Sequence, residues 1–399
     1  MSKIFTVTLG DLINFQRGFD LPKNQFIEGK YPVVSSNGIL GYHNEYKVKG
    51  PGITIGRSGT VGIPHYIEHD FFPHNTSLFI ENFKGNNKKY IYYLLKNLQL
   101  NKKKSGSGVP TMNRNHLHPL IVKAVISVVD QEKITNILSA LDQKIELNNR
   151  TNAELEAMAK TLYDYWFVQF DFPNEEGKPY KSSGGKMVYN TTLKQEIPDG
   201  WIDKQLNSVV ERIGTGLNPR DNFKLGEGNN YYITIKDIEQ GRIIFSDKTD
   251  RISDVTLDII NKRSDIKVGD ILFTSIQPVG LTYLIHEKPV NWNINESVFT
   301  IRANQSLVTS EYLFKLLSSE QMKVFSKNSS SGSIHKGIRH GVLKTFVFAY
   351  ANLSLINKFT EMITPLLQKQ YKLEIENNNL QSLRDFLLPM LMNGQVTVK

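Results

Sequence analysis

The sequence predicts an α+β protein: two globular domains joined by two long antiparallel coiled-coil helices, with an internal pseudo-two-fold repeat. Two heptad seams, short β-like runs between them, and a replay of the first half in the second carry this expectation.

From Asp130 to Phe167, steps of four and three pick out Ile134, Leu138, Leu141, Ile145, Asn148, Asn152, Leu155, Ala159, Leu162 and Trp166. This is an a/d heptad seam. The stretch from Leu353 to Leu391 gives Ile356, Phe359, Ile363, Leu366, Gln370, Leu373, Asn377, Leu380, Arg384, Leu387 and Leu391. Asn148 and Asn152 interrupt the first seam, and Gln370 and Asn377 the second. A buried Asn in a seam costs stability but fixes register and partner, so the stretches are expected to pair in one alignment, antiparallel if the block between them folds back. Two ordinary amphipathic core helices are the alternative, although globular helices average only about 11–12 residues. Pro365 falls inside the second pattern: either it kinks the helix or, with Thr364 as N-cap, the helix begins there.

At 399 residues the chain exceeds one ordinary core, and about 150 residues per domain suggests two to three units. Lys and Arg outnumber Asp and Glu by 48 to 39, a formal net charge of +9 that points to a polyanionic partner. With no cysteine there is no disulfide framework, thiolate metal site or cysteine nucleophile, which fits a cytoplasmic location. The opening MSKIFTVTLGDLINF lacks the apolar run of a signal peptide, and no stretch is apolar for long enough to span a membrane.

Residues 1–128 mix short β-like runs with turns, such as YPVVSS at 31–36, PGITIG at 51–56 and TSLFIE at 76–81. They read as a compact α+β domain. The central helix takes 129–170, and the Gly-, Pro- and Ser-rich 171–200 reads as a linker. A second domain at 201–350 and a C-terminal helix and tail at 351–399 follow. LGDLINFQRGFDLP at 9–22 answers to LNSVVERIGTGLNP at 206–219, and GPGITIGRSGTVG at 50–62 to VGDILFTSIQPVG at 268–280. KYIYYLLKN at 89–97 matches EYLFKLLSS at 311–319, and KKSGSGVPTMNRNHL at 103–117 matches KNSSSGSIHKGIRHGVL at 327–343. So long a period marks a tandem duplication rather than a solenoid.

LSALDQKIELNNRTNAELEAMAKTLYDYWFVQFD at 138–171, PYKSSGGKMV at 179–188, QEIPDGW at 195–201 and LQSLRDFLLPMLMNGQV at 380–396 resemble the DNA-sequence specificity subunit of Type I restriction–modification systems. The blocks between them match only in outline. The resemblance implies that each block is a target recognition domain reading half of an asymmetric bipartite site in double-stranded DNA. The helices would act as a spacer that docks two adenine methyltransferase subunits, within a host-defence complex that also holds restriction/translocase subunits. It further implies a chain without catalysis or cofactor, the S-adenosylmethionine, ATP and magnesium belonging to its partners. A helix of about 38 residues at ~1.5 Å each spans roughly 57 Å. Two half-sites over ~13–15 base pairs occupy about 44–51 Å.

In the first domain, GRSGTVG at 56–62 offers Arg57, Ser58 and Thr60 on a glycine-flanked turn that lets backbone approach a phosphate or base edge; a bare hairpin turn is the plainer reading. The basic loop contributes Lys102, Lys103, Lys104, Ser105, Ser107, Thr111, Asn113, Arg114 and His116, mixing phosphate-type donors with the Arg and Asn suited to guanine and adenine edges. A lysine run is usually a solvated face. Its recurrence as Lys327, Ser329, Ser330, Ser331, His335, Lys336, Arg339 and His340 favours DNA contact. TSIQPVG at 274–280 adds Thr274, Ser275 and Gln277 as base readers, and LNPRDNFK at 217–224 adds Arg220 and Lys224 as backbone contacts. Tyr42, Phe71 and Trp292 read as core. His65, His69 and His74 read as satisfied or exposed histidines rather than a metal site, given their irregular spacing.

The sequence carries no phosphate loop, no Asn/Asp-Pro-Pro-Tyr/Phe methyltransferase motif and no dinucleotide turn. The nearest nuclease-like set is Pro198-Asp199 with Asp265-Ile266-Lys267, widely separated. A metal-dependent nuclease and a coiled-coil docking protein without DNA function are therefore the rival readings.

Overall fold

A computed structural model of the chain describes residues 3–102, 111–220, 222–239, 241–330 and 337–398. The chain divides into two compact units, Met1–Asn149 with Ile375–Lys399, and Arg150–Glu374.

The first unit begins with β1 (Ile4–Thr8) and α1 (Leu9–Leu12). A capping box starts this helix: the Thr8 hydroxyl accepts from the Asp11 N–H, and the Asp11 carboxylate from the Thr8 N–H at 2.8 Å. There follow β2 (Asn14–Arg17), β3 (Tyr31–Ser35), β4 (Gly38–His43), β5 (Gly52–Gly56), β6 (Pro64–Ile67), β7 (Phe72–Pro73), β8 (Ser77–Asn82), α2 (Lys88–Asn97), α3 (Arg114–Leu117), β9 (Ile121–Val125) and the start of α4 (Val128–Tyr163). A four-stranded antiparallel sheet runs in the order β2-β8-β5-β6, and a three-stranded one as β4-β3-β7, with β3 and β7 parallel. Strands β1 and β9 pair antiparallel and close the unit.

In the second unit, one π-type turn, Asp164–Val168, ends α4. Next come β10 (Met187–Asn190), β11 (Gln195–Pro198), β12 (Ile202–Gln205), β13 (Val210–Thr215), β14 (Asn230–Ile233), β15 (Ile238–Glu239), β16 (Arg242–Ile243), β17 (Asp250–Ile252), α5 (Asp254–Ser264), β18 (Ile271–Thr274), β19 (Thr282–Leu284), β20 (Trp292–Ile294), β21 (Val298–Ala303), α6 (Ser310–Ser318), α7 (Glu320–Ser329), α8 (His340–Leu343), β22 (Val347–Tyr350) and α9 (Leu353–Met392). The strand order β13-β21-β18-β19 repeats β2-β8-β5-β6; β17-β14-β20 repeats β4-β3-β7; and β12-β22 repeats β1-β9. Even the parallel strand pairing recurs, β14 with β20. The duplication read from the sequence is therefore a duplication of topology.

Residues 171–200, expected as a linker, are ordered. They form the β10–β11 hairpin and seat Phe172 against Tyr180 at 4.7 Å and Trp201 at 5.4 Å. Aromatic contacts at irregular spacing hold the segment, which is why it shows no periodicity.

Each unit draws its core partly from the long helices. In the first, Ile134 and Leu138 of α4 and Leu388, Leu391 and Met392 of α9 join Phe15, Ile55 and Tyr90. In the second, Trp166 and Phe167 cluster with Tyr312 and Phe359. The helices pair antiparallel within each unit. Asp142 meets Arg384 at 2.9 Å and Asn148 meets Asn377 at 2.9 Å in the first, and the Gln370 amide donates to the Asn152 carbonyl at 3.2 Å in the second. Every position of both predicted seams is buried or half-buried.

Helix α9 begins at Leu353 and runs through Pro365, which corrects the reading that it starts there. Thr364 caps nothing; its hydroxyl donates to the Thr360 carbonyl at 2.8 Å. The proline is tolerated because it and Glu361, whose carbonyl loses its partner, both lie on the exposed side, within reach of water. Phe71 is fully buried and Trp292 half-buried, but Tyr42 is 54% exposed. It sits on the edge strand β4, where His43 takes the inward position.

Candidate nucleic-acid interface

In the first unit the turn after β5 is closed by the Gly62 N–H donating to the Gly56 carbonyl at 2.9 Å. A side chain at Gly56 would place its Cβ 1.8 Å from the Thr60 carbonyl oxygen, so the tight turn requires glycine. The N–H groups of Arg57 and Ser58 both donate to the Thr76 carbonyl, at 2.9 and 3.2 Å. On the other side Ser58 bridges to Thr111, and the Met112 N–H donates to the Arg57 carbonyl at 2.8 Å. The backbone thus sets the turn beside 111–116. Arg57 and Ser58 are half-exposed there, and Thr60, Thr111, Asn113, Arg114 and His116 exposed. Lys102 is exposed and follows Asn101, whose backbone abuts Gly62. Lys103, Lys104, Ser105 and Ser107 lie outside the described residues.

Asn113 has a second duty: its Oδ1 accepts from the Asn115 N–H at 3.1 Å and starts α3. Behind it, His118 Nε2 accepts the Phe15 N–H at 3.0 Å, which puts the ring proton on Nδ1 in the neutral form. Burial lowers its pKa, and the nearby positive charges of Arg114 and Lys84 lower it further. This histidine supports the strand below.

The second unit builds the same junction. The Gly280 N–H closes its turn on the Thr274 carbonyl at 2.9 Å, the Ser275 N–H donates to the Ser297 carbonyl at 2.9 Å, and the Ile338 N–H to the Ser275 carbonyl at 2.8 Å. Ile276 bridges to Gly337 as Ser58 does to Thr111. Two sequence expectations are corrected here. Thr274 is fully buried, its hydroxyl taken up within the turn by Pro278 and Leu281, and Ser275 is buried with its hydroxyl donating to the Ser297 carbonyl at 2.8 Å. Both hold the turn; neither side chain faces solvent. Gln277 at the tip is exposed, as are Arg339 and His340 at the start of α8, Lys327 on α7, and Arg220 and Lys224 after β13. Ser329 and Ser330 are half-buried at the end of α7, where the Ser330 hydroxyl donates to the Ser326 carbonyl at 2.6 Å. Ser331, His335 and Lys336 lie outside the described residues.

The residues that suggested hydrolytic chemistry are spoken for. Asp199 pairs with Lys186 at 2.9 Å. Asp265 meets Arg212 at 3.0 Å, Arg302 at 3.1 Å and Lys267 at 3.3 Å. Partial burial would raise the Asp265 pKa, but Arg302 and Lys267 hold it below the usual carboxylate value. His65 Nε2 lies 3.3 Å from the Ser36 carbonyl, and His74 Nδ1 3.1 Å from the Thr76 hydroxyl. Among the described residues no His, Cys, Asp or Glu group could hold a metal ion, and no helix is long and apolar enough to cross a membrane.

Sequence reasoning missed four residues at these junctions: Arg17, Asp20 and Asn75 in the first unit and Glu296 in the second. The only signal was the charge on either side of Gly18 in QRGFD; strand register, invisible in the sequence, brings it to the turn.

The comparisons agree with this arrangement. The family described as Type I restriction modification DNA specificity domain matches residues 1–157 and again 198–353, one match for each unit. The Type I restriction enzyme MjaIX specificity subunit of Methanocaldococcus jannaschii is 25% identical over 328 residues, covering 78% of this chain and 69% of its own length. The Type I restriction enzyme HindI specificity subunit of Haemophilus influenzae is 25% identical over 314 residues, covering 67% of each. The crystal structure of the Type I restriction–modification system S subunit from M. genitalium superposes with a TM-score of 0.61 at 16% identity, over 98% of this chain and 96% of that one. The repeated topology, the doubled junction and the doubled family match together place the chain in the Type I restriction–modification DNA specificity family.

Proposed function

We propose that each unit reads one half of an asymmetric, bipartite site in double-stranded DNA, using the turn after β5 or β18 and the segment bridged to it. The role itself follows from family membership: the chain is a DNA specificity subunit of a Type I restriction–modification complex, and catalysis belongs to its partner subunits. The finer reading rests chiefly on one observation, the twice-built junction that binds a glycine turn to an Arg-bearing segment by the same backbone bonds.

In this reading Lys102, Arg114, Arg220, Lys224 and Arg339 hold phosphates. Arg57, Ser58, Thr60, Thr111, Asn113, Gln277 and His340 approach base edges, Arg suiting guanine, and Asn and Gln adenine. Lys103, Lys104, Ser105, Ser107, Ser331, His335 and Lys336 are assigned to the same role by their sequence alone. The long helices set the spacing and dock two adenine methyltransferase subunits, with restriction/translocase subunits added to the cytoplasmic complex. S-adenosylmethionine, ATP and magnesium belong to those partners.

Co-expression with the methyltransferase subunits of a Type I system, followed by mapping of methylated adenines in host DNA, tests this. A single asymmetric motif of two short blocks with a fixed gap is expected. Methylation at a continuous or palindromic motif would refute the two-reader arrangement.

A further inference from the structure

The two units hold four residues at matching addresses around these junctions. Gly18 after β2 and Gly216 after β13 both press against the loop preceding the next sheet strand. A Cβ on Gly18 would lie 2.2 Å from the His74 carbonyl oxygen, and one on Gly216 1.8 Å from that of Ile294. The glycine contacts fall one residue apart in the two loops, but the parallel pairings set Pro73 opposite Val34 and Ile294 opposite Ile233. The residues that follow, His74 and Asn295, donate their N–H groups to the Val34 and Ile233 carbonyls, each at 2.9 Å. The next two residues therefore correspond as well: Asn75 with Glu296, and Thr76 with Ser297, whose carbonyls receive the N–H groups of Arg57 and Ser275. Counting from the glycines matches Arg17 with Thr215 and Asp20 with Asn218.

The frame is shared but the chemistry is reversed. In the first unit the Asp20 carboxylate accepts from Arg17 at 3.3 Å and from the Asn75 amide, and Arg57 Nη1 donates to the Asn75 carbonyl at 3.4 Å. Two guanidiniums and one carboxylate thus leave a net positive, donor-rich spot. The second unit has Thr215, Asn218 and the buried Ser275 there, with Glu296 as the sole charge of the four and exposed. The Tyr232 hydroxyl donates to the Leu217 carbonyl at 2.6 Å and lies 3.5 Å from Glu296 Oε2. A carboxylate opposes sequence-independent binding to phosphates but can accept from a base amino group.

We propose that Arg57 and Glu296 are opposed specificity determinants at equivalent addresses. Arg57, held by the Asn75 carbonyl, selects the acceptor edge of guanine, and Glu296 selects the amino group of cytosine. This rests on the half-site reading above.

The test maps methylated adenines for the complex carrying wild-type chain, Arg57→Gln, Glu296→Gln or Glu296→Asn. Each substitution is expected to relax one base position in one block, Arg57→Gln in the block opposite to the other two, with the gap unchanged. Binding to the parent site should fall about 5- to 150-fold, and binding of the Glu296 variants to unrelated duplex should hold or tighten. Two substitutions at Glu296 guard against one that fails to assemble. A wild-type bipartite motif that the variants leave unchanged, or weaken uniformly across sequences, overturns this inference and spares the half-site reading. A wild-type complex without a bipartite motif overturns the half-site reading itself.

Discussion

Tyr90 and Tyr312 occupy one place in the repeat, each donating its N–H to the side-chain oxygen that caps its helix, that of Asn87 or Thr309. Both are fully buried, yet only one hydroxyl is satisfied. The Val125 N–H donates to the Tyr90 oxygen at 2.8 Å, whereas the Tyr312 hydroxyl has no partner among the described residues. An unpartnered buried polar group costs about 1–3 kcal/mol. Tyr312→Phe should therefore stabilise the second unit by about 1 kcal/mol, and Tyr90→Phe, which orphans an N–H, should destabilise the first by a similar amount or more. Urea titrations of the full chain read both, and shifts of the same sign would refute the argument. Single residues are also where the sequence was least legible. Matching TSIQPVG to GRSGTVG located the structurally equivalent turn, but hydrogen bonding within it buries Thr274 and Ser275 while Arg57 stays half-exposed. A matching turn does not imply matching exposure. Asn75 and Glu296 gave no signal because only the β-sheet register carries them to the junction.

The long helices were the most legible elements, since a heptad pattern sustained over some ten turns far outruns the ordinary globular helix. Their polar positions behave differently from one another. Asn148 donates to Asn377 and to Glu376, both at 2.9 Å, and Asn377 donates to Asn149 at 3.0 Å. Asn152 is equally buried, but neither side-chain polar atom has a partner among the described residues. Replacing Asn152 with Leu should stabilise the helix pair of the second unit by about 1–3 kcal/mol, and Asn148→Leu should destabilise that of the first by a comparable amount by stranding Asn377. Denaturant midpoints decide the matter; a gain from Asn148→Leu would mean its bonds contribute nothing. What the periodic reading could not reach is the junction with non-periodic structure. The π-type turn at Asp164–Val168 and the ordered 171–200 segment are set by the aromatic cluster of Trp166, Phe167, Phe172 and Trp201.

At the scale of the whole molecule, α4 and α9 each pass from one unit into the other, at Asn149 and Glu374. If the helices set the unread gap, seven residues inserted in each at those points lengthen them by about 10 Å at ~1.5 Å per residue, or roughly three base pairs at ~3.4 Å per step. The methylated motif should then keep both blocks and widen its gap. Altered blocks would show that the helices shape the readers rather than space them. The duplication was legible from a few anchors because capping residues, turn glycines and apolar helix faces are fixed by local physics. Between them the halves diverge wherever the fold leaves freedom, as in β15, β16 and α5, which have no counterpart among the described residues of the first unit. The backbone contacts at Gly18 and Gly216 make that freedom usable. They fix where the neighbouring side chains stand without dictating what they are, so a library randomised at positions 17, 20, 57 and 75, or at 215, 218 and 296, would sample new sequence preferences without altering a hydrophobic core residue.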